Sequence, residues 1–286
     1  MNSSELILNK DGSIFHLRLL PHEVADDVIL VGDPGRVDLI GDYFDRVDTQ
    51  KQNREFKTIT GTYGNKKITV ISSGIGADNI DIVINELDAL KNIDLEKRAV
   101  KNTLQSLNII RIGTSGSIQE SIPSGSIVMT RKSIGFDNLP HFYNLTKNEE
   151  NQEIEKSLKY QFNWNPDLSY PYVTDASEKL LNKFRNKGFI EGMTISAPGF
   201  YGPQGRKLRI ELADESLNNK ISNFQFKDLN ITNYEMESSA IYSLAEALGH
   251  KAITICAIIA NRVTNDHLGD YTALMQDLTK KVLKNI

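Results

Sequence analysis

The stretch "NYEMESSA", residues 233–240, places two glutamates on either side of a methionine, directly before a helical pattern. Carboxylates such as those of Glu235 and Glu237 accept paired hydrogen bonds from the vicinal hydroxyls of a sugar, and Met236 would add an apolar floor. Acidic residues at the start of a helix also cap its free N–H groups and offset its dipole. Taken alone, this stretch favours capping over sugar binding.

Two arginines stand beside glycine-rich turns that follow strand patterns. In "GDPGR", which begins at Gly32, Arg36 lies near a predicted helix start, where a cation opposes the helix dipole unless an anion binds. In "IIRIGTSG", Arg111 lies within an apolar strand, and the turn after it carries the Thr114 and Ser115 hydroxyls. A solvated surface arginine and an internal ion pair are the respective alternatives. Together the two arginines favour an oxyanion site, and phosphate matches the guanidinium fork.

The loop "GFYGPQGR", residues 199–206, combines turn-forming residues with groups that could hold a planar ring. Phe200 could stack on such a ring, while Gln204 and Arg206 contact its polar edge. An ordinary surface turn is the alternative. If phosphate and a planar base are both held nearby, the piece between them is a ribose, which the glutamates of "NYEMESSA" could bind.

The glycine turn "SSGIGADN", residues 72–79, begins like a dinucleotide-binding fingerprint but lacks its third glycine. Close packing of the backbone at a strand end is the interpretation that we favour for it. The chain has no G-x-x-x-x-G-K-[ST] motif, so a P-loop NTPase is unsupported.

Composition narrows the class of protein. The 286 residues include 33 Lys+Arg and 37 Asp+Glu, a formal net charge of -4, which argues against a nucleic-acid partner because such surfaces are usually basic. The single cysteine, Cys256, lies in the apolar run "AITICAIIA", which predicts a buried, inert thiol in a reducing compartment. We see no signal peptide and no membrane-spanning stretch, so we expect a cytoplasmic protein with no membrane partner.

Strand and helix patterns alternate along the chain. This alternation predicts an α/β fold, a single domain over residues 1–286 with a central mixed β-sheet, partly barrel-like, flanked by α-helices. Apolar residues at 80–87 follow helical spacing, residues 94–107 are polar and helix-compatible, and residues 141–172 are expected to form a long polar excursion. Ligands of such folds bind at the carboxyl ends of strands, where the motifs above lie.

Taken in order, the motifs "HLRLL", "GDPGR", "REF", "RIGTSG", "FYGPQGR", "NYEMES" and "ANR" resemble those of the nucleoside phosphorylase-I family, most closely its uridine phosphorylase branch. The likeness covers most of the chain. It implies reversible phosphorolysis of uridine to uracil and ribose 1-phosphate, with deoxyuridine and thymidine as further candidate substrates. Inorganic phosphate would be the co-substrate, and neither a metal nor an organic cofactor would be needed.

The resemblance assigns residues to three subsites, motif by motif. Phosphate would be held by Gly32, Arg36, Arg54, Arg111 and Thr114. Ribose would be held by His16, Thr114, Glu235, Met236 and Glu237. Uracil would be held by Phe200, Gln204 and Arg206, with Arg206, Gln204 and Arg111 as the catalytic residues.

The resemblance also implies an oligomer. In this family the residues matching His16 and Arg54 reach in from a neighbouring subunit. We therefore expect a homo-oligomer, at least a dimer with shared active sites, with a hexamer as the larger alternative. Some relatives also bind a monovalent cation, but residues 77–79 are Ala-Asp-Asn where bacterial uridine phosphorylases usually have Pro-Ser. This departure weakens the expectation of a cation site, although Glu55 is present.

A second departure concerns the base. Purine-specific relatives and related nucleosidases carry a Ser-Asp pair where this chain has Asn261 and Arg262, which counts against purines. A purine nucleoside phosphorylase or a nucleosidase remains the alternative within the same class of enzyme. A dinucleotide-dependent oxidoreductase and a non-catalytic nucleoside-binding module are the alternatives from other classes.

Overall fold

The structure, a computed structural model, describes residues 1–146 and 148–286, which form fourteen strands and seven α-helices. In chain order the strands are β1 Asp27–Val31, β2 Arg46–Asn53, β3 Phe56–Tyr63, β4 Lys66–Ser72, β5 Ile93–Asp94, β6 Ala99–Val100, β7 Asn108–Ser117, β8 Ile127–Gly135, β9 Tyr172–Asp175, β10 Ile190–Ser196, β11 Gln225–Phe226, β12 Leu229–Glu235, β13 Lys251–Asn261 and β14 Asp266–His267. The helices are α1 Pro34–Gly41, α2 Ala77–Asn92, α3 Glu149–Phe162, α4 Glu178–Phe184, α5 Leu217–Ser222, α6 Ser238–Ala247 and α7 Thr272–Asn285. None of the helices in these described ranges has both the length and the apolar character needed to cross a bilayer.

Twelve of the strands belong to one mixed sheet. Its order is β11-β12-β10-β8-β13-β7-β1-β4-β3-β2, with β14 paired to β13 and β9 paired to β8. In addition, β12 pairs with β7, with Asn233 opposite Ser117 and Tyr234 opposite Gly116. This extra pairing joins β12, β10, β8, β13 and β7 into a closed ring. The predicted α/β fold with a mixed, partly barrel-like sheet is therefore confirmed.

Apolar periodicity explains how the helices cover this sheet. Strand β1 is parallel to both of its neighbours, and four of its five residues are buried, as a strand covered on both faces requires. The predicted helical stripe lies on α2, where Ile80, Val83, Ile84 and Leu87 are fully buried. Helix α6 ends shortly before Gly249, whose φ of 77° lies in the left-handed region that glycine adopts at helix ends.

Residues 94–107 do not form the helix that their polar sequence was expected to allow. Instead of a helix, β5 and β6 form a short antiparallel hairpin. Asn92, at the end of α2, then holds the returning chain by accepting the Gln105 N–H at 2.7 Å and donating to the Gln105 carbonyl at 3.1 Å. The helical prediction was wrong because pairing and one asparagine side chain set this conformation, and neither leaves a periodic pattern.

The polar stretch 141–172 is anchored to the sheet. It includes Lys147, which lies outside the described residues, and the helix α3. Asn148 caps α3 by accepting the Asn151 N–H at 2.7 Å. Lys132, buried on β8, donates to the Asn151 side-chain oxygen at 2.8 Å, so this helix is held against the sheet by a buried cation.

Candidate active site

A cavity of about 500 Å³ lies where strands of the closed ring end. Its walls come from the ends of β1, β7, β12 and β13, from the start of α1 and from the loop after β10. Ten of the twelve residues that the resemblance assigns line this cavity: Gly32, Arg36, Arg111, Thr114, Phe200, Gln204, Arg206, Glu235, Met236 and Glu237. The motifs that follow separate strands therefore do come together in space.

Arg111 is buried in the middle of β7, with 5% of its surface exposed, yet it lines the cavity. Its Nη1 lies 3.3 Å from Glu235 Oε2, and its Nη2 forms an ion pair with Glu237 Oε2. Burial lowers the pKa of Arg111, but the two carboxylates outweigh this effect and raise the pKa above its usual value. The internal ion pair, one of the two alternatives for Arg111, is thus present, and Arg111 also lines the cavity.

The two glutamates of "NYEMES" have different partners. Glu235 accepts the N–H groups of Glu237, at 3.0 Å, and of Ser238, at 3.0 and 3.1 Å, at the start of α6. This is the capping role that the stretch favoured on its own. Glu237 instead accepts the Gly76 N–H at 2.8 Å, while both carboxylates form ion pairs with Arg111. Burial raises the pKa of Glu237, while Arg111 acts to lower it.

Arg36 lies in the first turn of α1, whose N-cap Asp33 accepts the Gly35 N–H at 2.8 Å. The Arg36 guanidinium donates to the Ile112 carbonyl at 3.3 Å. Among the described residues, no carboxylate oxygen lies within 4.0 Å of the Arg36 side-chain nitrogens. Burial and the nearby Arg111 cation lower the pKa of Arg36. Two guanidinium groups beside a helix N-terminus, one of them without an ion pair among the described residues, are an arrangement that can hold an anion.

The two hydroxyls near the end of β7 also differ. Ser115 Oγ donates to the Tyr234 carbonyl at 2.6 Å and accepts from Asn233 Nδ2 at 2.6 Å, so it is engaged by the protein. Thr114 lines the cavity, and in the described part of the chain its hydroxyl makes no hydrogen bond. The Thr114 hydroxyl is therefore available to a ligand.

The loop after β10 contains a short 3₁₀ turn, Gly202–Gln204, which leaves Gln204 with 3% of its surface exposed. Arg206 Nη1 donates to Gln204 Oε1 at 2.5 Å and to the Phe200 carbonyl at 2.6 Å, and the guanidinium lies 3.8 Å from the Phe200 ring centre. Burial and the neighbouring Arg262 cation lower the pKa of Arg206. An amide and a guanidinium held side by side match a ring edge that both donates and accepts hydrogen bonds.

Arg262 supports this loop, a role that the sequence did not predict. Its guanidinium donates to the carbonyls of Gln204, at 2.7 Å, and Gly205, at 3.3 Å. Asn261 beside it is buried outside the cavity lining, where its Nδ2 donates to two backbone carbonyls at 2.9 Å. A cation that directly follows an apolar strand was the signal that could have identified Arg262.

His16 and Arg54 lie close together but do not line the cavity. Arg54 is exposed at the turn between β2 and β3, and the adjacent Asn53 donates to the His16 carbonyl at 2.8 Å. His16 Nδ1 lies 2.6 Å from Glu86 Oε1. In one chain these two residues therefore share a surface and do not contribute to the chain's own cavity.

Cys256 is buried, as predicted. Its sulfur accepts a hydrogen bond from Arg111 Nη1 at 3.5 Å, and burial raises the pKa of the thiol to about 12, so it is protonated near neutral pH. Within residues 1–146 and 148–286, no three His, Cys, Asp or Glu side chains form a group that could hold a metal ion.

Comparison with known families names the class of protein to which this fold and this cavity belong. Residues 26–286 match the family model described as the phosphorylase superfamily, so the chain belongs to that superfamily. Among solved structures, it is similar to a nucleoside phosphorylase of Trypanosoma brucei that is described as showing uridine phosphorylase activity. That likeness has 32% identity and a TM-score of 0.90, and it covers 98% of each chain.

Curated relatives include enzymes for both kinds of base. A uridine phosphorylase of Thermococcus kodakarensis is 28% identical over 270 residues, which cover 92% of this chain and 83% of that protein. A DeoD-type purine nucleoside phosphorylase of Listeria monocytogenes is 25% identical over 244 residues, which cover 85% of each. The purine enzyme is thus the more distant of these two relatives.

The contrast between Thr114 and Ser115 gives a paired prediction. Thr114→Val should weaken phosphate binding about tenfold with little change in Tm, because it removes a hydroxyl that has no hydrogen-bond partner among the described residues. Ser115→Ala should mainly lower the free energy of unfolding, by about 1–2 kcal/mol, because two buried groups lose their partner. Phosphate titration by calorimetry and thermal unfolding measure the two effects. Equal losses of phosphate affinity in both variants would contradict this division.

Proposed function

We propose that this protein catalyses the reversible phosphorolysis of uridine to uracil and ribose 1-phosphate, and is thus a pentosyltransferase. One observation carries the proposal: a single cavity is lined by residues suited to all three parts of the reaction. They are Arg36 and Arg111 for phosphate, Glu237 for the sugar, and Gln204 and Arg206 for the base. Membership of the phosphorylase superfamily supports the reaction, and the relatives described as uridine phosphorylases support the base. We further propose that the enzyme is cytoplasmic and that residues 1–286 act as one domain.

The phosphate subsite is proposed at the start of α1. Arg36 forms no ion pair among the described residues, and Arg111 lines the same cavity from β7. Gly32 and Thr114 complete the wall, and the N-terminus of α1 adds the positive end of its dipole. A guanidinium fork binds two oxygens at once, which suits the phosphate dianion.

The ribose subsite is proposed at Glu237 and Met236. Each carboxylate oxygen of Glu237 already has one protein partner, the Gly76 N–H or Arg111. A carboxylate has about four acceptor positions, so two remain for the vicinal hydroxyls of a ribose. Met236 lines the cavity beside it and supplies an apolar surface for the sugar. Glu235 acts indirectly, by holding the start of α6.

The base subsite is proposed at the loop after β10. Uracil presents two carbonyls on either side of an N–H, so the Gln204 amide can donate and accept while the Arg206 guanidinium donates. Phe200, half-exposed beside Arg206, can stack on the ring. A purine would need an acid near its N7, and Asn261 and Arg262 supply none. These features favour uracil, and the purine enzyme remains the second candidate because of relatives such as the DeoD-type phosphorylase.

The proposed reaction gives each of these groups a role. The C–N glycosidic bond loosens first and gives the sugar oxocarbenium character, and phosphate then attacks from the opposite face with inversion. Arg206 and Gln204 stabilise the negative charge on the departing uracil, while Arg36 and Arg111 hold phosphate near the sugar cation. The protein acts by positioning and electrostatics, with no covalent intermediate. Phosphate is the co-substrate, and no organic cofactor is required.

We propose that a second subunit completes the site with His16 and Arg54, so that the enzyme is at least a dimer, with a hexamer as the larger alternative. At the proposed phosphate end, the two charges of Arg36 and Arg111 face three carboxylates of the cavity lining, those of Asp33, Glu235 and Glu237, so a dianion enters a cluster with no excess of positive charge. A further cation would stabilise the bound dianion. Arg54 is an exposed arginine with no ion pair among the described residues, and it lies beside His16 on one surface.

Base choice tests the proposed substrate. We expect kcat/KM for uridine to exceed that for inosine and adenosine by at least about 100-fold, because buried groups that match uracil are left unpaired by a purine. Arg206→Ala should abolish most turnover of uridine. Lys207→Ala is the matched control, since Lys207 is an exposed neighbour that pairs with Glu215 at 3.1 Å. The measurement is the initial rate of base release from all three nucleosides, with and without phosphate.

The outcomes of this assay separate the candidates. Comparable rates with inosine would replace uridine with a purine substrate. Release of base at the same rate without phosphate would identify a nucleosidase. Tight binding of uridine without any turnover would identify a nucleoside-binding module.

Complementation tests the shared site. Arg54→Ala and Glu237→Ala protomers should each be inactive, because each removes one half of every site. After dissociation and reassembly in equal amounts, a dimer should regain about a quarter of wild-type activity, since half of the molecules are mixed and each has one intact site. If reassembled mixtures stay inactive although size analysis shows mixed dimers, each site is built from one chain.

A further inference from the structure

Arg111 and Gly113 lie on the same face of β7, because alternate residues of a strand share a face. Gly113 is opposite Cys256 of the parallel strand β13. The Arg111 guanidinium lies between them: its Nη1 donates to Cys256 Sγ at 3.5 Å. A Cβ added at Gly113 would overlap this Nη1 and lie 2.9 Å from both Arg111 Cζ and Cys256 Sγ. The guanidinium therefore occupies the space that a side chain at position 113 would need.

Backbone conformation does not explain the glycine at position 113. Gly113 is not among the glycines with positive φ, unlike Gly74 and Gly76, and it sits in regular pairing with β13. Glycine inside a strand weakens it, because it packs no side chain and loses more conformational entropy on folding. A compensating benefit has to come from the space that this glycine leaves.

We propose that Gly113 and Cys256 form a slot that positions the Arg111 guanidinium, which makes Gly113 a positioning residue of the phosphate subsite. This inference rests on the proposed function, since phosphate is the anion that Arg111 would bind there. The end of an arginine side chain normally moves aside at little cost, so the fold should tolerate a methyl group at position 113. Here the guanidinium is also held by two buried carboxylates, so moving it disturbs those ion pairs and the site.

Cys256 suits the second wall of the slot. Its thiol is protonated near neutral pH and carries no charge, so it does not compete with the glutamates or with phosphate for the guanidinium. Its sulfur is also small and polarisable, which suits close contact with a flat cation. A larger aliphatic side chain at position 256 would narrow the slot from this side.

Calorimetric titration with inorganic phosphate tests the slot directly, with the phosphate KM of uridine phosphorolysis as a second readout. In Gly113→Ala we expect the Kd and the KM for phosphate to rise by about tenfold or more, with kcat changing less. Gly192→Ala is the matched control, because a Cβ there would overlap Thr232 of the next strand but no residue of the cavity lining. That control should lower Tm and leave the phosphate Kd unchanged.

Cys256 provides a rescue and a second route to the same test. Cys256→Ala widens the slot, so Gly113→Ala combined with Cys256→Ala should bind phosphate more tightly than Gly113→Ala alone. Cys256→Leu narrows the slot without touching Gly113 and should weaken phosphate binding, which keeps the test decisive if Gly113→Ala does not fold. A phosphate Kd within about twofold of wild type in either narrowing variant would overturn the slot.

The same titration separates this inference from the proposed function. Wild-type protein that binds phosphate but leaves uridine intact would contradict the proposed substrate, while the slot would still be judged by the phosphate Kd of the variants. Wild-type protein that binds no phosphate would overturn both.

Discussion

The buried ion pairs of Arg111 with Glu235 and Glu237 are the interaction on which the rest of the site depends. A guanidinium inside β7 would be strongly destabilising without partners, and so would each buried carboxylate. Backbone N–H groups from the start of α6 and from the turn before α2 complete the hydrogen bonding of the two glutamates. One cluster thus joins β7, β12, α6 and the start of α2 where the cavity lies. Because a shift of any of these elements would break a buried ion pair or a hydrogen bond to one of its carboxylates, the cavity is organised before a ligand binds.

The two ends of the cavity use their cations differently. At the proposed phosphate end, Arg111 is held by two carboxylates, while Arg36 forms no ion pair among the described residues, so one guanidinium is fixed in place and the other can pair with a ligand. At the other end, Arg206 stacks on Phe200 and contacts neutral groups, and Arg262 holds the loop through its backbone. The charge of Arg206 is therefore free to stabilise a leaving group.

Sequence patterns could predict most of this arrangement, because strands that end at one edge of a sheet bring their following motifs together. The position of Arg111 in an apolar strand pointed to the internal ion pair that the structure shows and to the cavity wall where Arg111 lies. The different contacts of Glu235 and Glu237 could not be predicted, because both residues are glutamates. They differ in the backbone N–H groups from which each carboxylate accepts hydrogen bonds. The support from Arg262 depends on carbonyls more than fifty residues away, and the hairpin near Asn92 depends on side-chain contacts. Neither leaves a periodic signal.

The most direct test of the central interaction is the steady-state kinetics of Arg111→Ala with phosphate as the varied substrate. Removal of a charged hydrogen-bond partner should lower kcat/KM for phosphate at least about thirtyfold, which corresponds to a loss of about 2 kcal/mol in transition-state binding. Arg111→Lys, which keeps the charge but loses the fork, should fall between this variant and the wild type. A kcat/KM for phosphate near the wild-type value in Arg111→Ala would contradict the assignment of Arg111 to the phosphate subsite.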